Sequence, residues 1–454
     1  METQDVTREA WVDQLFTRIA DLLERNEVRK AQIILEALLP ADQADIFGDL
    51  EPDEQRRLIE GLPLGDTADI LEKLENEEVS EVAKWLPAEQ LADILDEMEP
   101  DEAADLLGDL GAEDAIGVLQ LMDSFEEISP LLLHPDATAG GLMTSEYLAL
   151  GDRMWAERAL EAIRQWETDS EYLYYFVVDR DGKLVGLVSV LRLLKAPPRA
   201  TLEEVMDRSF ISAPVDADQE ACALLMSRYD LTALPVIDDS GKLAGVITID
   251  DIIDVIEEEA TEDIQRLGGS APLERPYLLT SAWDIARRRV GWLLLLFVTG
   301  MFTANVLEFF ETTLQQRVAL SFFIPLLIGT GGNAGSQTTT TIIRALSVGE
   351  IDKKDVWKVL WHEVQVGLIL GLLIAVAGFV RAWTFNQSPQ LGVTIATAVG
   401  AIVFWSSSVG SMLPLFASLI GVDPALISGP LMSTLVDATG LFIYLSVAQW
   451  ILGP

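Results

Sequence analysis

Hydrophobic and polar positions divide the chain into stretches of different period. Through the first 130 residues, apolar side chains recur at helical spacing in short runs. Turns close the runs: LPADQ, EPDEQ, LPLGD, LPAEQ and EPDEA. Proline followed by Asp or Glu suits the first turn of a helix, where the ring needs no N–H and acids favour the helix dipole. ADIFGDL at 44, ADILEKL at 68, ADILDEM at 92 and ADLLGDL at 104 start 24, 24 and 12 residues apart. The pattern predicts a right- or left-handed superhelix of short helices, an architecture that usually presents an interaction surface. Between 136 and 258 the runs become β-rich, in two half-similar copies at 140–194 and 203–256. Each copy ends in strand, tight turn, strand and helix. VVDRDGKLVGLVSV and PVIDDSGKLAGVIT carry Asp-Gly or Ser-Gly between Val- and Ile-rich segments, a hairpin signal. From 257 an acidic helix leads to a Gly-Gly-Ser-Ala-Pro break. Beyond it, apolar stretches near 290–310, 318–346, 359–381, 391–420 and 424–452 are each long enough to cross a bilayer core.

Charge sharpens this division. The 454-residue chain has a formal net charge of −42, and only eight of its 73 acids lie after residue 290. A strongly acidic soluble part therefore precedes a nearly uncharged apolar part. The acidic excess excludes nucleic acid as a partner, because phosphate backbones demand Lys and Arg. It suits cationic partners, and it equally suits simple solubility by self-repulsion. The single cysteine, Cys222, permits no internal disulfide, which fits a reducing compartment. METQDVTREAWVDQLF lacks the basic and apolar regions of a secretory signal, so the first apolar helix is expected to direct insertion. Arg287, Arg288 and Arg289 precede the first span, and Arg344, Lys353, Lys354 and Lys358 lie between the second and third. Arg317 and Arg381 fall on the opposite side. The positive-inside rule then predicts a cytosolic soluble part and an external C-terminus.

Two polar insertions interrupt the apolar spans. PLLIGTGGNAGSQTTTTIIRAL brings Asn333 and Gln337 onto one helical face, four residues apart. Its glycines and threonines also fit plain helix packing. In ISGPLMSTLVDATGLFIYLSVA, Asp437 lies four residues after Ser433 and eight after Gly429, so the three share a face. Pro430 is expected to disturb backbone pairing there and free carbonyl oxygens. A carboxylate with carbonyls is a ligand set for a hard cation, and no Lys or Arg lies in the middle of any other span to pair with Asp437. Asp423, at the cytosolic edge in VDPAL, reads equally as a helix N-cap and as an acid at a pore mouth. The only histidines, His134 and His362, are far apart and form no zinc pattern. No Walker loop, Ser-His-Asp set or redox pair is present, so the chain is not expected to be an enzyme.

The two β-rich copies resemble a pair of CBS domains, which pack together and commonly sense ligands. GTGGNAGSQTTTTIIRAL and DPALISGPLMSTLVDATGLFIYLSVA resemble the two signature segments of the MgtE family of magnesium channels. The helical repeat, CBS pair, acidic connector and five spans recur in that family's order. The resemblance implies a multidomain fold: an α-helical superhelix at 1–135, α/β tandem CBS domains at 136–199 and 200–257, a connecting (plug) helix at 258–286, and an all-α transmembrane domain of five helices at 287–454. It implies a homodimer in the bacterial plasma membrane, with Mg²⁺ both transported and regulatory. By that resemblance Asp437 is the pore carboxylate, Asn333 a pore-lining residue, and Asp423 an acid at the cytosolic mouth. Gly429 and Ser433 supply main-chain or side-chain contacts. Regulatory Mg²⁺ contacts are implied at Asp218, Glu220, Asp230, Asp251, Asp254, Glu259, Glu262 and Asp263, and also at Asp69, Asp101 and Asp105. Many of these would equally serve as solvated helix faces. Passive Mg²⁺ uptake, shut off by Mg²⁺ on the acidic cytosolic domains, is the expected function. One alternative is a CBS-regulated transporter of another ion under nucleotide control, with ATP at the CBS cleft. Another is a membrane-anchored scaffold, which gives no reason for Asp437.

Overall fold

In the computed structural model, described for residues 2–74, 76–166, 172–273, 277, 280–352, 354–386 and 388–453, the chain divides into units 1–256 and 257–454. Lys353, counted above among the bases between two spans, lies outside the described residues.

The first unit opens with α1 (Glu2–Glu24), a single long helix where the repeat pattern predicts only short ones. Short helices follow: α2 (Val28–Leu35), α3 (Pro40–Gly48), α4 (Pro52–Ile59), α5 (Leu64–Glu72), α6 (Asn76–Ala83), α7 (Ala88–Leu95), α8 (Pro100–Asp109) and α9 (Ala112–Leu119). From α3 onward each begins twelve residues after the last, so the 24-residue spacing read in the sequence is two helices. Pro40, Pro52 and Pro100 stand at the first turn of their helices. The ADIL-type motif has a simple packing logic. Ala44, Ile46 and Phe47 are buried, as are Ala68, Ile70 and Leu71, then Ala92, Ile94 and Leu95. Asp45, Asp69 and Asp93, between them, are exposed. Helical periodicity thus directs three apolar positions inward and one acid outward in these three copies.

The two β-rich copies are built alike. Strands β1 (Ala149–Gly151), β2 (Tyr174–Val178) and β3 (Leu184–Ser189) form one sheet. Strands β4 (Ala213–Pro214), β5 (Ala233–Ile237) and β6 (Leu243–Thr248) form the other. In each, the first two strands are parallel and the last two form the predicted hairpin. The longer helices of this region are α10 (Ala156–Gln165), α11 (Gln219–Tyr229) and α12 (Ile249–Leu267). The buried side chains of the helical repeat and those of the second β-rich copy, among them Leu106, Leu107, Met226 and Ile252, belong to one core.

Among the described residues, the second unit contains five helices long and apolar enough to span a membrane: α13 (Ala282–Phe309), α14 (Ile324–Ser347), α15 (Val356–Asn386), α16 (Pro389–Leu419) and α17 (Gly429–Leu452). A 3₁₀ stretch, Val318–Phe323, leads into α14. Helix α13 begins earlier than the first span read from the sequence, and α17 begins later than the fifth. Residues Pro424–Leu426 form a separate 3₁₀ turn. Pro430 occupies the first turn of α17 behind the N-cap Ser428, so it does not interrupt an established helix as the sequence suggested. At that position a missing N–H leaves no hydrogen bond unmade. Tyr444, fully buried, donates its hydroxyl to the Leu320 carbonyl at 2.9 Å.

Candidate metal centres and ion path

In the first unit, Glu99, Asp101 and Asp251 each present a carboxylate oxygen within 4.8 Å of the others. Helix α8 supplies the first two: Glu99 is its N-cap and Asp101 lies in its first turn. Asp251 stands in the first turn of α12, where its Oδ2 accepts from the Thr248 backbone N–H at 3.2 Å and the Thr248 hydroxyl at 2.5 Å. Asp101 is 6% exposed, and its Oδ1 has no hydrogen-bond partner. Glu72 fixes the local backbone by accepting from the Glu99 N–H at 2.7 Å.

Burial and mutual repulsion raise the proton affinity of this group. Burial, then Glu72 and Asp251, push Glu99 up to about 7. Burial, then Asp105, push Glu102 up to about 8. Asp101 is raised well above the usual carboxylate range by burial, then by Asp251. Asp251 is raised by burial and by Asp250, against the Thr248 hydrogen bonds. Lys73 lies nearby; burial lowers its proton affinity, but Glu102, Asp254, Glu72 and Glu99 outweigh that and raise it. Several carboxylates with an unpartnered oxygen form a donor set for a hard cation. Asp101 and Asp251 were named from the sequence. Glu99 and Glu102 were missed, although EPDEA places both beside Asp101.

The remaining cytosolic candidates do not join this cluster. Asp218 is exposed and caps α11, accepting from the Glu220 N–H at 3.0 Å. Asp230 ends the same helix in the left-handed region, φ 52°. Asp69 and Asp254 are exposed, and Asp105, Glu220 and Glu259 are half-buried.

In the second unit, Glu262 is ion-paired with Arg266, which also pairs with Asp423. Asp263 accepts from the Ser347 hydroxyl at 2.9 Å. Asp423 is indeed an N-cap, accepting from the Ala425 N–H at 2.8 Å, in addition to its ion pair.

Helices α14 and α17 meet through small residues. A Cβ at Gly332 would lie 2.8 Å from the Ser433 Oγ, so a larger residue there would turn the serine hydroxyl aside. Ser433 therefore faces α14 directly. Ser336 donates to the Gly429 carbonyl at 3.1 Å, which ties up one acceptor at the start of α17. Asn333, next to Gly332, is exposed on the isolated chain, as is Gln337. Asp437, one turn beyond Ser433, is half-buried and makes no hydrogen bond or ion pair with any described residue. Helices α14 and α17 thus meet at Gly332–Ser433 and Ser336–Gly429, with Asn333 and Asp437 following close along their own helices. Glu363 on α15 lies beside Thr338 of α14.

A family profile described as a divalent cation transporter, MgtE, matches residues 324–447. The MgtE intracellular N domain matches 16–90 and 38–132, and CBS domains match 139–199 and 202–258. The chain is 42% identical over 327 residues to the magnesium transporter MgtE of Thermus thermophilus, covering 72% of each protein. It is 32% identical over 319 residues to the magnesium transporter MgtE of Bacillus subtilis, covering 70% of each. Among solved structures, the cytosolic domain of the Mg²⁺ channel MgtE in complex with ATP aligns with a TM-score of 0.50 and 34% identity, over 53% of this chain and 99% of that one.

Proposed function

The chain belongs to the MgtE family of magnesium transporters, and on that premise we propose that it is a Mg²⁺-selective channel for passive uptake, closed by Mg²⁺ binding to its acidic cytosolic part. The observation that carries the pore assignment is Asp437, half-buried in a membrane helix without a base. An ionised carboxylate at that depth costs at least a few kcal/mol unless a counter-charge offsets it. A transported divalent cation supplies the counter-charge. In a homodimer with the pore on its two-fold axis, two copies of Asp437 face one ion, with Asn333 on the pore wall and Gly429 and Ser433 at the α14–α17 contact. Mg²⁺ gives up its water reluctantly, so carboxylates and carbonyls acting through the hydration shell bind it without stripping it. Outer-shell binding also leaves the ion free to exit.

Closure is assigned to the acidic sites. Glu99, Asp101 and Asp251 repel one another when empty and are drawn together by a divalent ion. Moving a two-state equilibrium from mostly open to mostly closed takes about 5.5 kcal/mol of differential binding, which several weak sites together supply. Asp69, Asp105, Asp218, Glu220, Asp230, Asp254, Glu259, Glu262 and Asp263 are the further candidates, with Asp423 at the cytosolic mouth. ATP at the CBS cleft and an external C-terminus complete the proposal. The similarity to an ATP-bound cytosolic domain supports the former, and the Arg287–Arg289 run before α13 supports the latter. The decisive experiment is Mg²⁺ flux in proteoliposomes carrying Asp437→Ala. Uptake should vanish while the protein still inserts and dimerises; normal conduction by this variant would falsify the pore assignment.

A further inference from the structure

Arg266 lies near the end of α12, and its guanidinium contacts Glu262 one turn earlier and Asp423 across the membrane unit's cytosolic edge. All three side chains are about one-third exposed, at 32%, 29% and 33%, which screens them less than a fully exposed surface pair. Two further contacts fasten the same corner, where the Arg344 charge also acts on Asp263. Asp263 accepts from Ser347 at the end of α14, at 2.9 Å. Gly269, at φ +74°, leaves room for the Trp292 indole, whose nearest atoms would lie 2.6 Å from any Cβ there. Trp292 in turn donates to Ser428, the N-cap of α17, at 3.1 Å. The end of the connecting helix is thereby fastened beside the start of the helix that carries Asp437.

Glu262 and Asp423 already hold a cation, and that cation belongs to the protein. We propose that Arg266 controls permeation as a tethered cation: it competes with a divalent ion for Glu262 and Asp423, and while it holds them the connecting helix stays at the mouth without metal. The proposal rests on the reading that Asp423 lies on the ion's route. A guanidinium offers a planar fork of donors suited to two carboxylates, whereas hydrated Mg²⁺ brings twice the charge and acts through water. Neutralising the same two acids with both at once is disfavoured, so occupancy alternates. Arg266 then sets a metal-independent floor of closure, to which bound Mg²⁺ adds.

The test compares wild type, Arg266→Gln and Arg266→Lys as full-length protein in proteoliposomes. One readout is protease cleavage between residues 268 and 281 in EDTA and in saturating Mg²⁺; the other is Mg²⁺ influx at low cytosolic-side Mg²⁺. Arg266→Gln should raise both EDTA cleavage and influx about 3- to 10-fold, with Mg²⁺ restoring protection. Arg266→Lys, which keeps the charge and loses the fork, should fall between. Recovery of wild-type protection in Mg²⁺ shows that Arg266→Gln is folded. Unchanged cleavage in EDTA and unchanged influx would overturn the proposal. Asp437→Ala in the same assay separates the two readings: if it conducts, the pore assignment fails, whereas a silent Asp437→Ala beside an unaltered Arg266→Gln defeats only the tethered cation.

Discussion

Asp101 and Asp437 are both withdrawn from water, and neither is ion-paired with a described residue. Their surroundings differ completely. Asp101 sits among Glu99, Glu102 and Asp251 at the meeting of α8 and α12. Asp437 projects from an apolar helix, with Val436 and Ala438 beside it in sequence and no second carboxylate in contact among the described residues. A crowded cluster relieves its repulsion by taking up protons or metal, and so responds to the concentration of either. A solitary membrane carboxylate lacks neighbours that titrate in concert with it, and its natural remedy is an ion in transit. One arrangement suits sensing and the other passage. Arg266 shows a third remedy, a base supplied by the chain itself.

The contrast breaks most easily at the cluster. Asp251→Asn together with Asp101→Asn should weaken Mg²⁺-dependent protease protection of the cytosolic unit by about 100-fold in Mg²⁺ concentration, since two charged donors are lost. Flux at low cytosolic Mg²⁺ should stay at the wild-type level; if flux fell with protection, cluster and pore would not be separable functions.

A smaller effect follows from protonation. Glu99 and Glu102 have folded-state values of about 7 and 8, above those of an unfolded chain. The folded, metal-free unit therefore binds more protons than the unfolded one. Its stability from these groups is fully present at low pH and is lost as pH rises through 7 to 8. Metal must displace those protons, so Mg²⁺ affinity should rise about tenfold between pH 6 and 8. Isothermal titration of the full-length protein across that range checks this; a flat profile would place the bound Mg²⁺ elsewhere.

The smallest change concerns the membrane contact. Ser336→Ala removes one hydroxyl from the Gly429 carbonyl and should cost about 1 kcal/mol or less in thermal stability. Flux should be nearly unchanged, because the backbone at Gly429 can keep its place through the Ser428 cap.

Much of this architecture was legible in one dimension. The ADIL motifs announced buried triads because helical periodicity forces three positions inward, and the Asp-Gly and Ser-Gly turns announced the hairpins because Gly182 and Gly241 adopt positive φ. Asp437 stood out for a similar reason: a charge inside an apolar run is visible without coordinates. What stayed hidden was assembly. EPDEA was read as a helix start, which it is, yet nothing local says that its Glu99 faces a residue 150 positions away from Asp101. Nor does VDPAL reveal that Asp423 meets Arg266.

Sequence alone announced most of the elements, five candidate membrane helices and the residues whose burial needs explaining, because periodicity, turn chemistry and hydropathy act over a few residues. Tertiary structure decided which acids share a site and which already have a base. Coulomb energy depends on distance in space, and folding brought Asp251 to Asp101 and Arg266 to Asp423 while leaving Asp437 alone.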